Sequence, residues 1–346
     1  MRIFLLTIIP FVLTVIITPI IKKMAIHVNA VDIPNERKVH TKIMPRLGGI
    51  AMFLSFLFSY MILVDLSVQM ISILISSFII ILTGIADDIK PLSAKVKFIS
   101  QLISASIIVF YGNILLTDFG AFELYVQFGI FSPIVTIFFI LGCINCINLI
   151  DGLDGLAAGT SAIFFATVGI IALVTGSLIN LEVLLAFIML GCTLGFLVHN
   201  FYPSSIFMGD SGSMFLGLII SVIALLGYKN ITLTSFFVPV LILMVPILDT
   251  TFAIIRRTLS GKSFGEADKN HLHHQFLKMK FSHRSSVLII YAINGLFSIT
   301  SLIYILGNFI LGIAAYVCLF IIIVWIVTTT DIIFDHNKEK EVKTED

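Results

Sequence analysis

The run ISILISSFIIILTGIADD at residues 71–88 decides the architecture. From Ile71 to Ile85 it carries no charge, and it closes on two adjacent carboxylates, Asp87 and Asp88. A helix needs about 20 mostly apolar residues to cross a bilayer core of roughly 30 Å, and the chain returns to that pattern repeatedly, as in LGIAAYVCLFIIIVWIV at 311–327. Of 346 residues, 58% are hydrophobic and 12% charged, where a soluble domain carries about 25% charged residues. Mean hydropathy is +1.11. A soluble globule is excluded. The runs lack the period-2 alternation of barrel strands, so helices must satisfy the backbone in lipid. The expected fold is all-α, a polytopic membrane helical bundle.

Hydropathy windows predict eleven spans, near 3–21, 48–64, 67–85, 98–116, 130–148, 157–175, 181–198, 213–228, 232–255, 287–306 and 309–327. The first is read as retained, because Lys22 and Lys23 stand where a cleavage site would need small residues. Nineteen of the 21 Lys and Arg residues fall on one side of this topology, with only Arg2 and Lys229 on the other. By the positive-inside rule the N-terminus is expected outside and the C-terminus in the cytoplasm. Residues 116–129 on the opposite face read as a hairpin or interfacial helix. We expect one membrane domain over 1–330, with its site in loops 22–47, 86–97, 148–156, 200–213 and 256–286, and a charged cytoplasmic tail at 331–346. The four cysteines lie inside apolar runs. Cys143 and Cys146 have C-x-x-C spacing without a second pair nearby, and read as packing residues.

Four polar clusters stand out, all on the expected cytoplasmic side. Asp87-Asp88, followed by Lys97, puts two carboxylates at a membrane border, where a divalent cation would offset their repulsion; the plain alternative is a solvated helix end. Asn145, Asn148, Asp151 and Asp154 repeat at a spacing of three, one side of a helical turn. That ladder suits a sugar nucleotide and its metal, or else polar helix ends capping one another. Gly209-Asp210-Ser211-Gly212 opens a helix, where free N–H groups suit an anion and Asp210 suits Mg²⁺; Asp210 as a simple N-cap is the alternative. The loop 256–286 holds Arg256, Arg257 and His271-Leu272-His273-His274. Zinc on these histidines would lack a cysteine in the loop, and phosphate contact fits better. The non-tail cytoplasmic loops hold 16 basic residues against nine acids, which draws in polyanionic substrates.

These motifs, in this order, resemble the polyprenyl-phosphate N-acetylhexosamine-1-phosphate transferase superfamily over nearly the whole chain. The H-x-H-H histidine motif looks like the branch that transfers N-acetylglucosamine-1-phosphate (GlcNAc-1-phosphate); the branch using UDP-N-acetylmuramoyl-pentapeptide typically has three consecutive histidines, which Leu272 interrupts here. The segment Val31 to Lys42 is most similar to Gram-positive members that start wall teichoic acid synthesis. The resemblance implies UDP-GlcNAc plus undecaprenyl phosphate giving undecaprenyl-diphospho-GlcNAc and UMP, with Mg²⁺ or Mn²⁺. Its partners would be those substrates and membrane lipids, with no nucleic acid and a homodimer left open.

For such a reaction Asp210 is expected as metal ligand with Asp154 or Asp88 nearby, and Asp87 as the group that positions or deprotonates the acceptor. Lys97, Arg257 and the histidines offset phosphate charge, while Asn145, Asn148, Asp151 and Arg256 hold the nucleotide sugar. A covalent phospho-Asp88 intermediate is the alternative to direct displacement. Asp249, inside the ninth span, is read as a supporting or lipid-phosphate-facing group. The rival classes are an ion-coupled transporter, which would need acids near mid-bilayer, and a zinc hydrolase using the histidines.

Overall fold

The computed structural model describes residues 2–34, 43–121, 124–176, 178–229, 243–259 and 272–329. It resolves into two compact units, Met1–Pro239 and Val240–Asp346. The first contains helices α1 (Arg2–His27), α2 (Gly48–Leu63), α3 (Val68–Ile89), α4 (Ala94–Ser106), α5 (Ser132–Ile150), α6 (Leu156–Thr175), α7 (Leu181–Asn200) and α8 (Gly209–Lys229). The second contains α9 (Met244–Leu259), α10 (Leu272–Lys278), α11 (His283–Leu306) and α12 (Phe309–Thr329). Among the described residues eight helices are long and apolar enough to cross a membrane, and α2 and the 310–325 stretch of α12 are shorter apolar helices. Each expected window meets a helix except the ninth, whose first half lies outside the described residues and whose remainder falls in α9.

In the first unit α8 is the central helix, with 94% of its apolar window buried against 22% for α1. Helices α2, α3, α5 and α7 pack directly on it, and α1 and α6 pack on α7. The approach is close because glycines remove the side chain at each crossing. A Cβ added to Gly49 would fall on the backbone of Gly212, one at Gly84 on Ser211, and one at Gly217 on Ile144. Backbone contact of this kind is how membrane helices associate without a hydrophobic drive between them. Aromatic edges fill the rest, with Phe53 and Phe56 of α2 set against Phe215 at 5.6 and 5.4 Å.

Two small antiparallel pairs complete this unit. The 116–129 segment is a hairpin, β3 (Asp118–Ala121) on β4 (Leu124–Gln127), preceded by a π-helical turn at Ile107–Tyr111 that ends α4. At the other end, β1 (Val31–Asp32) pairs with β2 (Met44–Pro45) just before α2. The cysteines at 143, 146 and 192 are buried and free, and Cys318 is exposed on α12.

In the second unit α11 and α12 pack together and α9 lies on α11. Ser282 caps α11 through the Ser285 N–H at 3.1 Å. Tyr316 of α12 sits 5.8 Å from the Phe297 ring.

Candidate active site

The site forms where the polypeptide leaves and re-enters the bundle at one end of the first unit: after α1, α3, α5 and α7, and before α2, α4, α6 and α8. The entry to α2 is zipped to the entry to α8. Phe207 N–H donates to Pro45 O at 2.8 Å, Gly48 N–H to Phe207 O at 3.0 Å and Gly49 N–H to Met208 O at 2.9 Å. Two of the donors that any helix start leaves unpaired are thereby satisfied. A second clamp joins the α5–α6 turn to the α7–α8 connection: Asn200 accepts from Gly155 N–H at 3.0 Å and donates to Ile206 O at 2.9 Å, while Asp154 accepts from Ser204 N–H at 3.0 Å.

The anion hole expected at the start of α8 exists, and the anion in it is the chain's own Asp88. Its carboxylate accepts from Asp210 N–H at 2.9 Å, Ser211 N–H at 3.2 Å and the Ser211 hydroxyl at 2.8 Å. The Asp88 side chain is wholly covered, and the Arg46 guanidinium lies 3.6 Å from it. Gly209 makes this possible: its φ of +75° suits only glycine, and a Cβ there would strike the Asp88 carboxylate. Asp88 therefore caps α8 from a neighbouring helix, with both of its oxygens already accepting hydrogen bonds. Nor is Asp210 the cap; it lies in the first turn, where its charge complements the helix dipole.

Lys97 of α4 lies between two of the expected acids, 2.9 Å from Asp210 and 3.4 Å from Asp87. Asp87 also accepts from Leu92 N–H at 2.8 Å, which fixes it against the α3–α4 turn. Arg46 faces Asp32, Asp88 and Asp210 at 3.6 to 3.7 Å. Burial alone would lower its pKa, but the fields of Asp88, Asp32, Asp210 and Asp151 raise it above the usual arginine value. Asp151 follows α5 directly, half-buried. Burial first, then the charges of Asp210, Asp88 and Asp154, push it up to about 8, with Arg46 opposing.

The Asn ladder is turned partly into the bundle. Asn148 donates to the Ser213 hydroxyl at 2.8 Å, tying α5 to α8. Asn145 donates to Gln101 of α4 at 2.9 Å and to Leu141 O at 2.8 Å. Both amide nitrogens thus serve helix contacts. Asp249 is buried in α9 of the second unit. His271 lies outside the described residues, and the side chains of His273, His274, Arg256 and Arg257 are not described either.

Reasoning from the sequence missed Arg46 and Asp32 as site residues. Arg46 counts there only as one more positive-inside charge, although the Pro45-Arg46-Leu47-Gly48-Gly49 run at a helix start was a usable signal of close backbone approach.

Five carboxylates (Asp32, Asp87, Asp88, Asp151 and Asp210) are linked here by ion pairs or fields to two cations, Arg46 and Lys97, and Asp154 adds its field at Asp151. That excess of hard oxygen donors fits a divalent cation such as Mg²⁺. Among the described residues no three His, Cys, Asp or Glu side chains are grouped to hold a metal. Mg²⁺ takes one or two carboxylates and completes its shell with waters and substrate phosphates, so two carboxylates whose fields interact, such as Asp210 and Asp151, suffice for it.

The description of glycosyl transferase family 4 matches residues 70–228, the stretch from α3 through α8. The chain is 44% identical over 307 residues to a probable undecaprenyl-phosphate N-acetylglucosaminyl 1-phosphate transferase of Bacillus subtilis, covering 87% of this chain and 85% of that one. It is 33% identical over 310 residues to a decaprenyl-phosphate N-acetylglucosaminephosphotransferase of Mycobacterium tuberculosis, covering 81% and 77%. A Salmonella typhi undecaprenyl-phosphate alpha-N-acetylglucosaminyl 1-phosphate transferase is 30% identical over 295 residues, covering 81% and 78%. On these grounds the chain belongs to glycosyl transferase family 4, the membrane-embedded polyprenyl-phosphate N-acetylhexosamine-1-phosphate transferases, and is a phosphotransferase.

Proposed function

We propose that the chain transfers GlcNAc-1-phosphate from UDP-GlcNAc to undecaprenyl phosphate on the cytoplasmic side of the bacterial membrane. The product, undecaprenyl-diphospho-GlcNAc, would start a cell-wall polymer of the teichoic acid type. The observation that carries this reading is the Asp87–Lys97–Asp210 chain beside Asp151, a charged site at one end of an apolar bundle, in a chain 44% identical to a protein of that name. In the reaction an acceptor phosphate oxygen attacks the sugar-bearing phosphorus, the bond to the second phosphate breaks, and UMP leaves with the electron pair.

A phosphate monoester has a second pKa near 6, so the acceptor arrives largely ionised and needs little base. Asp87 then acts by holding Lys97, whose ammonium meets phosphate charge. Asp210 and Asp151, with Asp154 beside them, would hold Mg²⁺ or Mn²⁺, which when bound neutralises the diphosphate and the leaving UMP. Asp88 holds the first turn of α8, and with it Asp210, in place. Positioning of two bound reactants supplies much of the rate in such displacements. Arg256, Arg257 and the His271, His273 and His274 motif are assigned to phosphate contact, on their chemistry alone.

The test is purified protein given labelled UDP-GlcNAc or UDP-N-acetylmuramoyl-pentapeptide, undecaprenyl phosphate and Mg²⁺. Lipid-linked label and UMP from UDP-GlcNAc are expected. Preferred turnover of the pentapeptide donor would place the chain in the other branch.

A further inference from the structure

We propose that Arg46 is a substrate-binding residue of this site, its guanidinium taking an anionic oxygen of a substrate phosphate; the inference rests on the transferase reading above. Its backbone is fixed: Arg46 N–H donates to Ala30 O at 3.0 Å, and the residue forms a β-bridge with Phe207. The side chain therefore projects from a rigid point into the carboxylate cluster. Each guanidinium nitrogen faces a different segment, Nη1 toward Asp32 at 3.7 Å, Nε toward Asp88 at 3.6 Å and Nη2 toward Asp210 at 3.7 Å.

Those distances are ion pairs, longer than the roughly 2.7–3.2 Å of an N–H···O hydrogen bond. An arginine built as a structural staple would sit on one carboxylate bidentately at about 2.7–2.9 Å. Here a fork of five N–H donors makes no hydrogen bond among the described residues. The side chain is also 30% exposed. Lys97 differs in having one of its three donors already committed, to Asp210 at 2.9 Å. A cation held in place by field, with its donors uncommitted, has the chemistry to receive a phosphate oxygen. The oxygen could come from the donor's diphosphate or the acceptor's monophosphate.

Arg46→Gln and Arg46→Lys separate these sources. KM is measured for UDP-GlcNAc and for undecaprenyl phosphate, together with calorimetric binding of UDP plus Mg²⁺ and the thermal midpoint. Losing one charge-assisted hydrogen bond should raise the KM of the contacted substrate roughly 10- to 100-fold and leave the other within about twofold. Arg46→Lys should recover only part, because an ammonium lacks the fork; it also keeps the charge, and so carries the test if Arg46→Gln does not fold. A shift in the UDP-GlcNAc KM, or weakened UDP binding, assigns the donor; a shift in the undecaprenyl phosphate KM assigns the acceptor. Both KM values and UDP binding unchanged, with only a lower thermal midpoint, would overturn the proposal. Wild-type protein that binds UDP but turns over neither substrate would refute the transferase reading and leave the UDP-binding comparison standing.

Discussion

Replacing Asp88 by Asn keeps the volume and removes the charge at the point where α3 caps α8. The native carboxylate accepts three hydrogen bonds, from Asp210 N–H, Ser211 N–H and the Ser211 hydroxyl, at 2.8 to 3.2 Å. An Asn side chain has one accepting oxygen, so its NH₂ must point at a donor. Loss of a charged cap costs about 1–2 kcal/mol, and a buried donor left without an acceptor adds about 1–3 kcal/mol. The sum, about 2–5 kcal/mol, amounts to a fall in thermal midpoint of roughly 4–20 °C for a unit of this size. The assay is the thermal midpoint of purified protein in detergent, run beside turnover, with wild-type protein also incubated with UDP-GlcNAc and no acceptor. Asp88→Asn should be both less stable and less active, and the wild type should release no UMP until undecaprenyl phosphate is added. An unshifted midpoint together with stoichiometric UMP release without acceptor would refute the capping argument and restore Asp88 as a covalent nucleophile.

Asp151 predicts a pH dependence. Its folded pKa of about 8 lies above the roughly 3.9 of an unfolded Asp, so its proton stabilises the metal-free fold. That contribution is complete below the unfolded value and is lost as pH rises through 8. The metal-free thermal midpoint should fall from about pH 5 to 8, and Mg²⁺ should raise it more near pH 8.5 than near pH 6, since the ion must displace that proton; equal gains at both pH values would remove Asp151 from the metal site. For orientation, single cysteines at Lys90 and Ser204 in a cysteine-free background should label only from the cytoplasmic side, and one at Thr117 only from outside. Labelling of Lys90→Cys and Ser204→Cys from opposite sides would break the shared-end geometry.

The apolar helices were legible because length and polarity decide them, though among the described residues eight rather than eleven are long and apolar enough to cross a membrane. The site was legible as residue types, since Asp87, Lys97, Asp151, Asp154 and Asp210 all converge on one end of the first unit. Partners were not legible. The sequence shows that the start of α8 would attract an anion, but not that Asp88 occupies it, because that contact joins positions 123 residues apart. For the same reason Arg46 looked like a topology signal, and the Asn145 and Asn148 spacing was read correctly while Gln101 and Ser213, their hydrogen-bond partners, went unseen.

The central place of α8 also orders the making of the protein. Asp88 leaves the ribosome 123 residues before Ser211, an interval of roughly 6–25 s at about 5–20 residues per second. Through that time α2 and α3 stand in the bilayer with glycine faces shaped for a helix that has not been translated, and a carboxylate at the membrane border lacks its donors. Nascent chains halted before residue 211 hold most of the acidic residues yet cannot assemble the centre, so acquisition of activity is a late, all-at-once event in biogenesis.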